Sequence, residues 1–314
     1  MELYDLVVIG SGAAGLSAAV RALEEGIKSV LILERNEVLG GNLNLFIHNG
    51  FGEYILNEKV TGPELSSILI DKFKELQGTY KVNTRVLDIN RDKKIRYVNP
   101  EEGLVEVKAK AIIIATGCRE RFTGNIIVPI HKYTGIFTRA SAHRLINLNG
   151  FLPGKEVVIT GNDIWTAILA RRLIIEGANI KAIVTEKSKF EGEIKEIIDD
   201  FNINVLYDSE ISEVGGDERI QWVRTKKIGD NIENIIECDS CVLSIGYIPE
   251  SEVLSNIKIN GNSAFFQHND NEISVKGIFI CGTVVNGING LLSSGEDGYI
   301  VGKKVADYIK KYLY

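Results

Sequence analysis

Short apolar runs alternate along the chain with stretches of helical composition. The run from Leu6 to Ile9 is apolar and β-branched and stops at Gly10, which predicts a buried parallel strand. The Ala- and Leu-rich stretch from Leu16 to Glu24 predicts a helix that ends before Gly26. Val30 to Leu33 then predicts a second strand. The order of strand, turn, helix and strand indicates an α/β fold with a parallel sheet.

Three glycines lie in the turn between the first strand and the helix, within the sequence GSGAAG that runs from Gly10 to Gly15. Gly10 allows a tight turn, Gly12 lets the backbone approach a pyrophosphate, and Gly15 lets the helix pack closely on the strand. Glu34 follows about twenty residues later, where a carboxylate holds a ribose hydroxyl. This context predicts a dinucleotide site at the helix N-terminus, and the alternative is a glycine-rich turn without a ligand.

A second glycine pair follows the acidic residue, in the sequence LGGNL from Leu39 to Leu43. Flavoproteins use such a pair against the phosphates and ribityl chain of the flavin, whereas nicotinamide enzymes have no equivalent need. The pair therefore favours FAD as the cofactor of this site.

Length, charge and cysteine content narrow the class of protein. A chain of 314 residues predicts about two domains. The net charge of −6 offers no basic stripe for a nucleic acid. The sequence contains no run of about twenty apolar residues, so it predicts no transmembrane helix. No basic leader precedes the first strand. Four cysteines are too few for a secreted disulfide scaffold, so we expect a protein of the reducing cytoplasm.

A second strand–turn–helix pattern begins at Val157 and retains one glycine of the fingerprint, Gly161. Asp163 and Thr166 occupy the second and third glycine positions, so a carboxylate would face the pyrophosphate and weaken NAD(H) binding. Two interpretations stay open: the domain is a vestigial scaffold, or it binds nicotinamide weakly in a shifted pose. Glu186, after the next strand, favours NAD over NADP if either binds.

Three later motifs carry a resemblance to a known superfamily: AIIIATG at 111–117, SIGYIP at 244–249 and GIFICG at 277–282. They resemble the crossing and closing motifs of two-dinucleotide-binding-domain flavoproteins, the superfamily of thioredoxin reductase and other pyridine nucleotide-disulfide oxidoreductases. The resemblance spans nearly the whole chain. It implies two Rossmann-like domains, with residues 118–244 inserted as an NAD(P)-binding-like domain into an FAD-binding domain formed by residues 1–117 and 245–314.

Residues 39–52, 61–64, 118–121 and 135–138 are similar to one branch of this superfamily. The branch contains flavoproteins associated with anaerobic glycerol-3-phosphate dehydrogenase and flavin subunits of sarcosine, opine and hydroxyproline oxidases. The resemblance implies an FAD-dependent dehydrogenase or electron-transfer subunit that works with other dehydrogenase subunits or as a homo-oligomer, with a small-molecule or protein electron donor. A non-catalytic FAD-binding scaffold, or an NADH-dependent flavin reductase with an atypical NADH site, is the alternative.

The resemblance also assigns residues to the FAD. The assigned residues are Gly10, Gly12, Ala13, Ala14, Gly15, Glu34, Arg35, Gly41, Asn42, Leu43, Asn49, Val86, Ala115, Thr116, Gly117, Gly282, Thr283, Gly290 and Leu291. Gly290 and Leu291 would begin the last helix, whose N-terminal dipole would stabilise negative charge on the flavin. Thr283 stands where the superfamily usually has an aspartate on the ribityl chain, which implies a weaker hold on FAD.

His48 is the histidine that the resemblance puts beside the flavin. It would serve either as a proton acceptor while hydride leaves for the flavin, or as a hydrogen-bonded wall residue. The other histidines, His131, His143 and His268, have no second ligand at metal spacing and are predicted to be surface or loop residues.

Cys238 and Cys241 have the spacing of a redox pair, but they lie in a strand-like run. Residues three apart on a strand point to opposite faces, which favours a structural role for both cysteines. No Cys-x4-Cys motif follows Gly41 either. The sequence therefore predicts an oxidoreductase without a redox disulfide beside the flavin.

Overall fold

The computed structural model describes residues 1–122, 132–230, 232–257 and 270–313. His131 and His268 lie outside the described residues. The chain divides into two compact units, the first formed by residues 1–119 and 247–314 and the second by residues 120–246. Each unit has a parallel sheet with helices, which confirms the predicted α/β class with two Rossmann-like units.

The elements up to residue 120 belong largely to the first unit. Its strands here are β1 (Leu3–Ile9), β2 (Val30–Leu33), β3 (Asn49–Phe51), β4 (Val60–Thr61), β5 (Thr79–Lys81), β6 (Arg85–Ile89), β7 (Lys94–Asn99), β8 (Gly103–Ile114) and β9 (Cys118–Glu120), and its helices are α1 (Ala13–Glu24), α2 (Glu53–Leu56) and α3 (Gly62–Glu75). A 3-10 helix spans Gly41–Leu45.

The second unit follows, and the chain then returns to the first. The second unit contains β10 (Ile136–Thr138), α4 (Arg139–Asn149), β11 (Glu156–Thr160), α5 (Ile164–Ile175), β12 (Asn179–Val184), α6 (Glu193–Asp200), β13 (Val205–Leu206), β14 (Ser209–Gly216), β15 (Ile220–Lys227), β16 (Glu233–Glu237) and β17 (Ser240–Leu243). The returning segment contains β18 (Tyr247–Pro249), β19 (Ile278–Ile280), α7 (Thr283–Asn286) and α8 (Ser294–Leu313), with 3-10 helices at Glu252–Leu254 and Ile288–Gly290.

The sheet of the first unit has the strand order β5-β2-β1-β8-β7-β6, and β19 also pairs with β8. β1, β2, β5, β8 and β19 run parallel, whereas β6, β7 and β8 form an antiparallel meander. The apolar run of β1 is buried because it lies between β2 and β8 in the sheet and because Val7 and Ile9 belong to a hydrophobic core cluster.

Helices α1 and α8 of the first unit pack at very short range. A Cβ atom on Gly298 would lie 2.0 Å from the carbonyl oxygen of Ala14, and one on Gly302 would lie 2.4 Å from that of Ala18. Only glycine permits this approach, because any side chain at these two positions would overlap the backbone of α1. The contact holds the helix that follows the glycine-rich turn.

The second unit has a five-stranded parallel sheet, β10-β17-β11-β12-β13, and a three-stranded antiparallel sheet, β14-β15-β16. The prediction that Cys238 and Cys241 point to opposite faces of one strand is wrong. The strand breaks between Glu237 and Ser240, where the chain passes from one sheet to the other, so the alternation does not continue. Both cysteines are buried in the same hydrophobic cluster.

His143 also departs from its prediction as a surface or loop residue. It lies inside α4 and is 3% exposed, because that face of α4 carries Ala142 and Ile146 into the core of the second unit. Within the described ranges, no helix has the length and apolar composition that crossing a lipid bilayer requires.

Candidate functional site

A cleft lies in the first unit at the carboxyl ends of β1, β2, β8 and β19, where ligands bind in open parallel α/β sheets. We call it the first-unit cleft. It is lined by Ile9, Gly10, Ser11, Gly12, Ala13, Ala14, Leu33, Glu34, Arg35, Asn36, Gly41, Asn42, Leu43, Thr84, Arg85, Val86, Leu87, Ala115, Thr116, Gly117, Cys118, Glu250, Glu252, Val253, Cys281, Gly282, Thr283, Leu291 and Ser294. All predicted cofactor residues except Gly15, Asn49 and Gly290 are among them.

The glycine-rich turn has the geometry of a pyrophosphate cradle. Gly10 has a φ of +98°, and a Cβ atom on it would lie 2.5 Å from the carbonyl oxygen of Ala115. A Cβ atom on Gly15 would lie 1.9 Å from the carbonyl oxygen of Gly10, so this glycine serves packing. A Cβ atom on Gly12 would meet nothing within 4 Å. The space in front of α1 is therefore open at Gly12, whereas backbone atoms fill the space at Gly10 and Gly15.

The N-terminus of α1 is available to an anion. Gly12 is its N-cap residue, and no side chain from the described part of the chain caps the helix. The first amide groups of a helix have no partner within the helix, and together with the helix dipole they attract phosphate. An uncapped terminus that opens into a cleft fits a dinucleotide cofactor.

Glu34 fixes the turn as well as facing the cleft. Its Oε2 accepts hydrogen bonds from the Ser11 backbone N–H (2.9 Å) and the Ser11 hydroxyl (2.6 Å), and its Oε1 accepts one from Asn36 N–H (2.9 Å). The residue is 4% exposed. Because a carboxylate oxygen has two lone pairs, Oε1 retains one for a ribose hydroxyl. The contribution of Ser11 was missed, and its place inside the GSGAAG sequence was the available signal.

The returning segment closes one wall of the cleft through Glu250. The hydroxyl of Thr116 donates to the backbone oxygen of Glu250 (2.6 Å), and the N–H of Glu250 donates to the oxygen of Gly117 (2.9 Å). The side chain of Glu250 forms an ion pair with Arg35 (3.3 Å). Sequence reasoning missed Glu250 because its contacts join residues more than a hundred positions apart.

The prediction that Gly290 and Leu291 begin the last helix is wrong. Gly290 ends a 3-10 helix and α8 begins at Ser294, because the backbone hydrogen bonds before that point span three residues, from Leu291 N–H to the oxygen of Ile288 (3.0 Å) and from Ser294 N–H to that of Leu291 (3.3 Å). Leu291 and Ser294 still line the cleft. Beside them, the carboxylate of Asp297 in the first turn of α8 accepts a hydrogen bond from Gly282 N–H (2.5 Å), which holds the end of β19 against α8.

His48 and Asn49 lie beyond the lining of the cleft. The imidazole of His48 packs between two aromatic rings, with centroid distances of 5.8 Å to Phe46 and 5.6 Å to Phe51. Asn49 lies in β3 opposite Thr61 of β4. This surrounding favours the interpretation of His48 as a wall residue.

The four cysteines are free thiols, and three of them are buried. No disulfide joins any two of the four, all of which are among the described residues. Burial raises the pKa of the Cys238 thiol to about 12, and it also raises the pKa values of Cys241 and Cys281. Reactive cysteines require an accessible thiolate, and the burial of these three thiols disfavours that form.

The fold and the cleft together define an α/β protein of the dinucleotide-binding class, and comparisons with known proteins identify the family. The family model described as pyridine nucleotide-disulphide oxidoreductase matches residues 4–298. The chain belongs to this family, an FAD-dependent oxidoreductase family whose thioredoxin reductase-like members bind FAD and NAD(P)H.

Individual relatives match over nearly their full length. Thioredoxin reductase of Bacillus subtilis (strain 168) is 25% identical, with 99% of this chain and 96% of that protein covered. A protein of Clostridium pasteurianum described as the 34.2 kDa protein in the rubredoxin operon is 26% identical, with 97% of each covered. The crystal structure of T. acidophilum thioredoxin reductase has a TM-score of 0.81 at 24% identity, covering 98% of this chain and 99% of that one.

Proposed function

We propose that this chain is an FAD-dependent dehydrogenase or electron-transfer subunit that works through FAD bound in the first-unit cleft. The observation that carries the proposal is the open, uncapped N-terminus of α1 at Gly12, with the buried carboxylate of Glu34 beside it. Bound FAD supplies the capacity to accept hydride or single electrons and pass them on.

The cleft residues divide the work of holding the cofactor. The backbone at Gly12 and the first turn of α1 would hold the pyrophosphate, and Oε1 of Glu34 would accept from the adenosine ribose. Gly41 and Asn42 would border the ribityl chain. Thr283, whose hydroxyl lies 3.3 Å from the position that a Cβ atom on Gly117 would take, offers one hydroxyl at that wall in place of a carboxylate.

Electron exchange in this proposal takes place without a dithiol relay. The burial of Cys238 and Cys241 in a hydrophobic core, which raises the pKa of both thiols, supports this. The donor or acceptor would therefore react at the flavin directly, as a small molecule or as a protein. His48 stays a proposed proton acceptor, with the wall role as its alternative.

The finer proposal concerns the branch of the family. Residues 39–52 and 118–121 resemble flavoproteins associated with anaerobic glycerol-3-phosphate dehydrogenase and flavin subunits of sarcosine, opine and hydroxyproline oxidases. We infer a polyol phosphate or an amine as the substrate class, oxidised by this chain or by a partner dehydrogenase subunit. The cysteine content supports a reducing cytoplasm as the location.

Flavin content and anaerobic reduction test the proposal. Purified protein should retain FAD at one per chain and show the flavin absorbance band, which should bleach anaerobically when glycerol 3-phosphate or a secondary amine such as sarcosine is added, alone or with the co-purified partner. Protein that binds no FAD would refute the proposal. Protein that keeps FAD but is reduced by no donor, with or without its partner, would instead identify the non-catalytic scaffold.

A further inference from the structure

The N-terminus of α5 in the second unit is filled where that of α1 in the first unit is open. Asp163 is the N-cap residue of α5, and its Oδ1 accepts hydrogen bonds from the backbone N–H of Thr166 (3.0 Å) and from the Thr166 hydroxyl (2.8 Å). The carboxylate thus occupies the position in front of the helix that the fingerprint reserves for a pyrophosphate.

A buried arginine completes this arrangement. Arg139, the first residue of α4, donates from Nη1 to Oδ1 of Asp163 (2.6 Å), and its Nε lies 3.5 Å from Oε1 of Glu120. Arg139 is 3% exposed. The other oxygen of Glu120, Oε2, accepts from the N–H of Ala140 (2.6 Å). We call Glu120, Arg139, Asp163 and Thr166 the α5 cluster.

Thr166 closes the turn as well as binding the carboxylate. A Cβ atom on Gly161 would lie 2.1 Å from the Thr166 hydroxyl oxygen, so the threonine side chain fills the space that the third glycine of the fingerprint leaves empty. In the first unit the corresponding residue is Gly15, and the second fingerprint position, Gly12, has open space in front of it. The two fingerprints therefore differ in shape as well as in sequence.

The arrangement corrects the simplest electrostatic interpretation of Asp163. Its charge does not face empty space, because Arg139 neutralises it and three hydrogen bonds use the same oxygen. A phosphate is excluded first because the Asp163 carboxylate already occupies the N-terminus of α5. Charge-assisted hydrogen bonds of the kind that hold it there are among the strongest in proteins. Repulsion adds to it, because two carboxylates against one guanidinium leave the α5 cluster with a formal charge of −1.

We propose that the α5 cluster takes the place of the pyrophosphate and that the second unit binds neither NADH nor NADPH. The family binds FAD and NAD(P)H, so in this chain the second dinucleotide site has become an internally liganded scaffold. The inference concerns the second unit alone. Its consequence, that the electron donor is not a nicotinamide, rests on the proposed function.

Calorimetric titration of the full-length protein with NADH and with NADPH tests the proposal. The wild type should give no saturable heat at about 1 mM nucleotide, the concentration that corresponds to roughly −4 kcal/mol of binding. The variant carrying Asp163→Gly and Thr166→Gly restores the three-glycine pattern and should bind at least about tenfold more tightly, a gain of about 1.4 kcal/mol. Asp230→Gly, which removes one exposed carboxylate elsewhere in the same unit, is the matched control and should behave as the wild type.

Two results would overturn the proposal: saturable nucleotide binding by the wild type, or restored-glycine protein that folds and binds no more tightly. Circular dichroism checks folding. If the double variant does not fold, Asp163→Gly alone decides, because it removes the side chain that occupies the N-terminus of α5 and leaves Thr166 in place; unchanged binding in that variant would equally count against the cluster. Flavin content is read separately by absorbance, so loss of the FAD proposal cannot be confused with this outcome.

Discussion

Replacing Gly12 by aspartate would install in the first unit the residue that the second unit carries at Asp163. The exchange requires no movement of the fold, because Gly12 has a φ of −68°, which any residue adopts, and a Cβ atom there meets nothing within 4 Å. Aspartate is also a better N-cap than glycine by a few tenths of a kcal/mol. The Gly12→Asp protein should therefore unfold at the same temperature as the cofactor-free wild type, or slightly above it.

Cofactor affinity should fall steeply in the same protein. A carboxylate about 4 Å from one phosphate charge costs about 4 kcal/mol at an effective dielectric constant of 20, which corresponds to about three decades in the dissociation constant. The new side chain also takes the α1 amide groups that the pyrophosphate would use. Both effects weaken FAD binding, and neither lowers the stability of the cofactor-free protein.

The assay compares flavin content after gel filtration and the FAD dissociation constant from titration of the apoprotein. Gly12→Asn is the matched control, since it has the same shape and capping ability without the charge, and should lose less affinity than Gly12→Asp. Full FAD retention by Gly12→Asp would refute the assignment of this turn to the pyrophosphate. Equal losses in the two variants would refute the electrostatic part of the reasoning.

Three further predictions follow from packing and titration. Gly15→Ala should lower the free energy of unfolding in urea by about 1–3 kcal/mol through overpacking against the Gly10 carbonyl. Gly12→Ala should not lower it, and equal urea midpoints for the two variants would contradict the packing role of Gly15. Replacing Cys238 and Cys241 together by alanine should leave the rate of flavin reduction in stopped-flow unchanged, and a large drop would restore a redox role. Burial raises the folded-state pKa of Glu120 above its ordinary value of 4.5, so ionising it destabilises the fold. The stability of the wild type relative to Glu120→Gln should therefore be greatest below pH 4.5 and fall as pH rises through the folded pKa. Free energies of unfolding in urea that change in parallel with pH for the two proteins would contradict this.

Local pattern carried much of the prediction for the first unit. The strand β1, the glycine-rich turn, α1 and β2 were all predicted within a few residues, because each depends on neighbours along the chain: apolar runs for strands, glycine spacing for the turn, and Ala and Leu for the helix. The same reasoning identified the edge of the sheet where the cleft lies. A local sequence pattern is sufficient where the element depends only on residues that are close together along the chain.

Errors arose where the chain changes direction. The run around Cys238 and Cys241 looked like one strand, but two strands of different sheets meet there, and alternation carries no information across such a break. The start of α8 was placed too early because the residues just before it form tighter turns with three-residue hydrogen bonds, which composition does not distinguish from an α-helix. His143 was predicted to be exposed because the helix face that packs inward depends on the neighbouring sheet.

By itself, the amino-acid sequence determined the α/β class, the two Rossmann-like units and the presence of Asp163 and Thr166 in the second fingerprint. Only the tertiary structure decided what those residues do. Arg139 lies 24 positions before Asp163, and Glu120 lies further away still, yet the Arg139 guanidinium contacts both carboxylates. Likewise Ser11 meets Glu34 across 23 positions. Such contacts depend on how strands and helices are brought together in space, and no local periodicity encodes them.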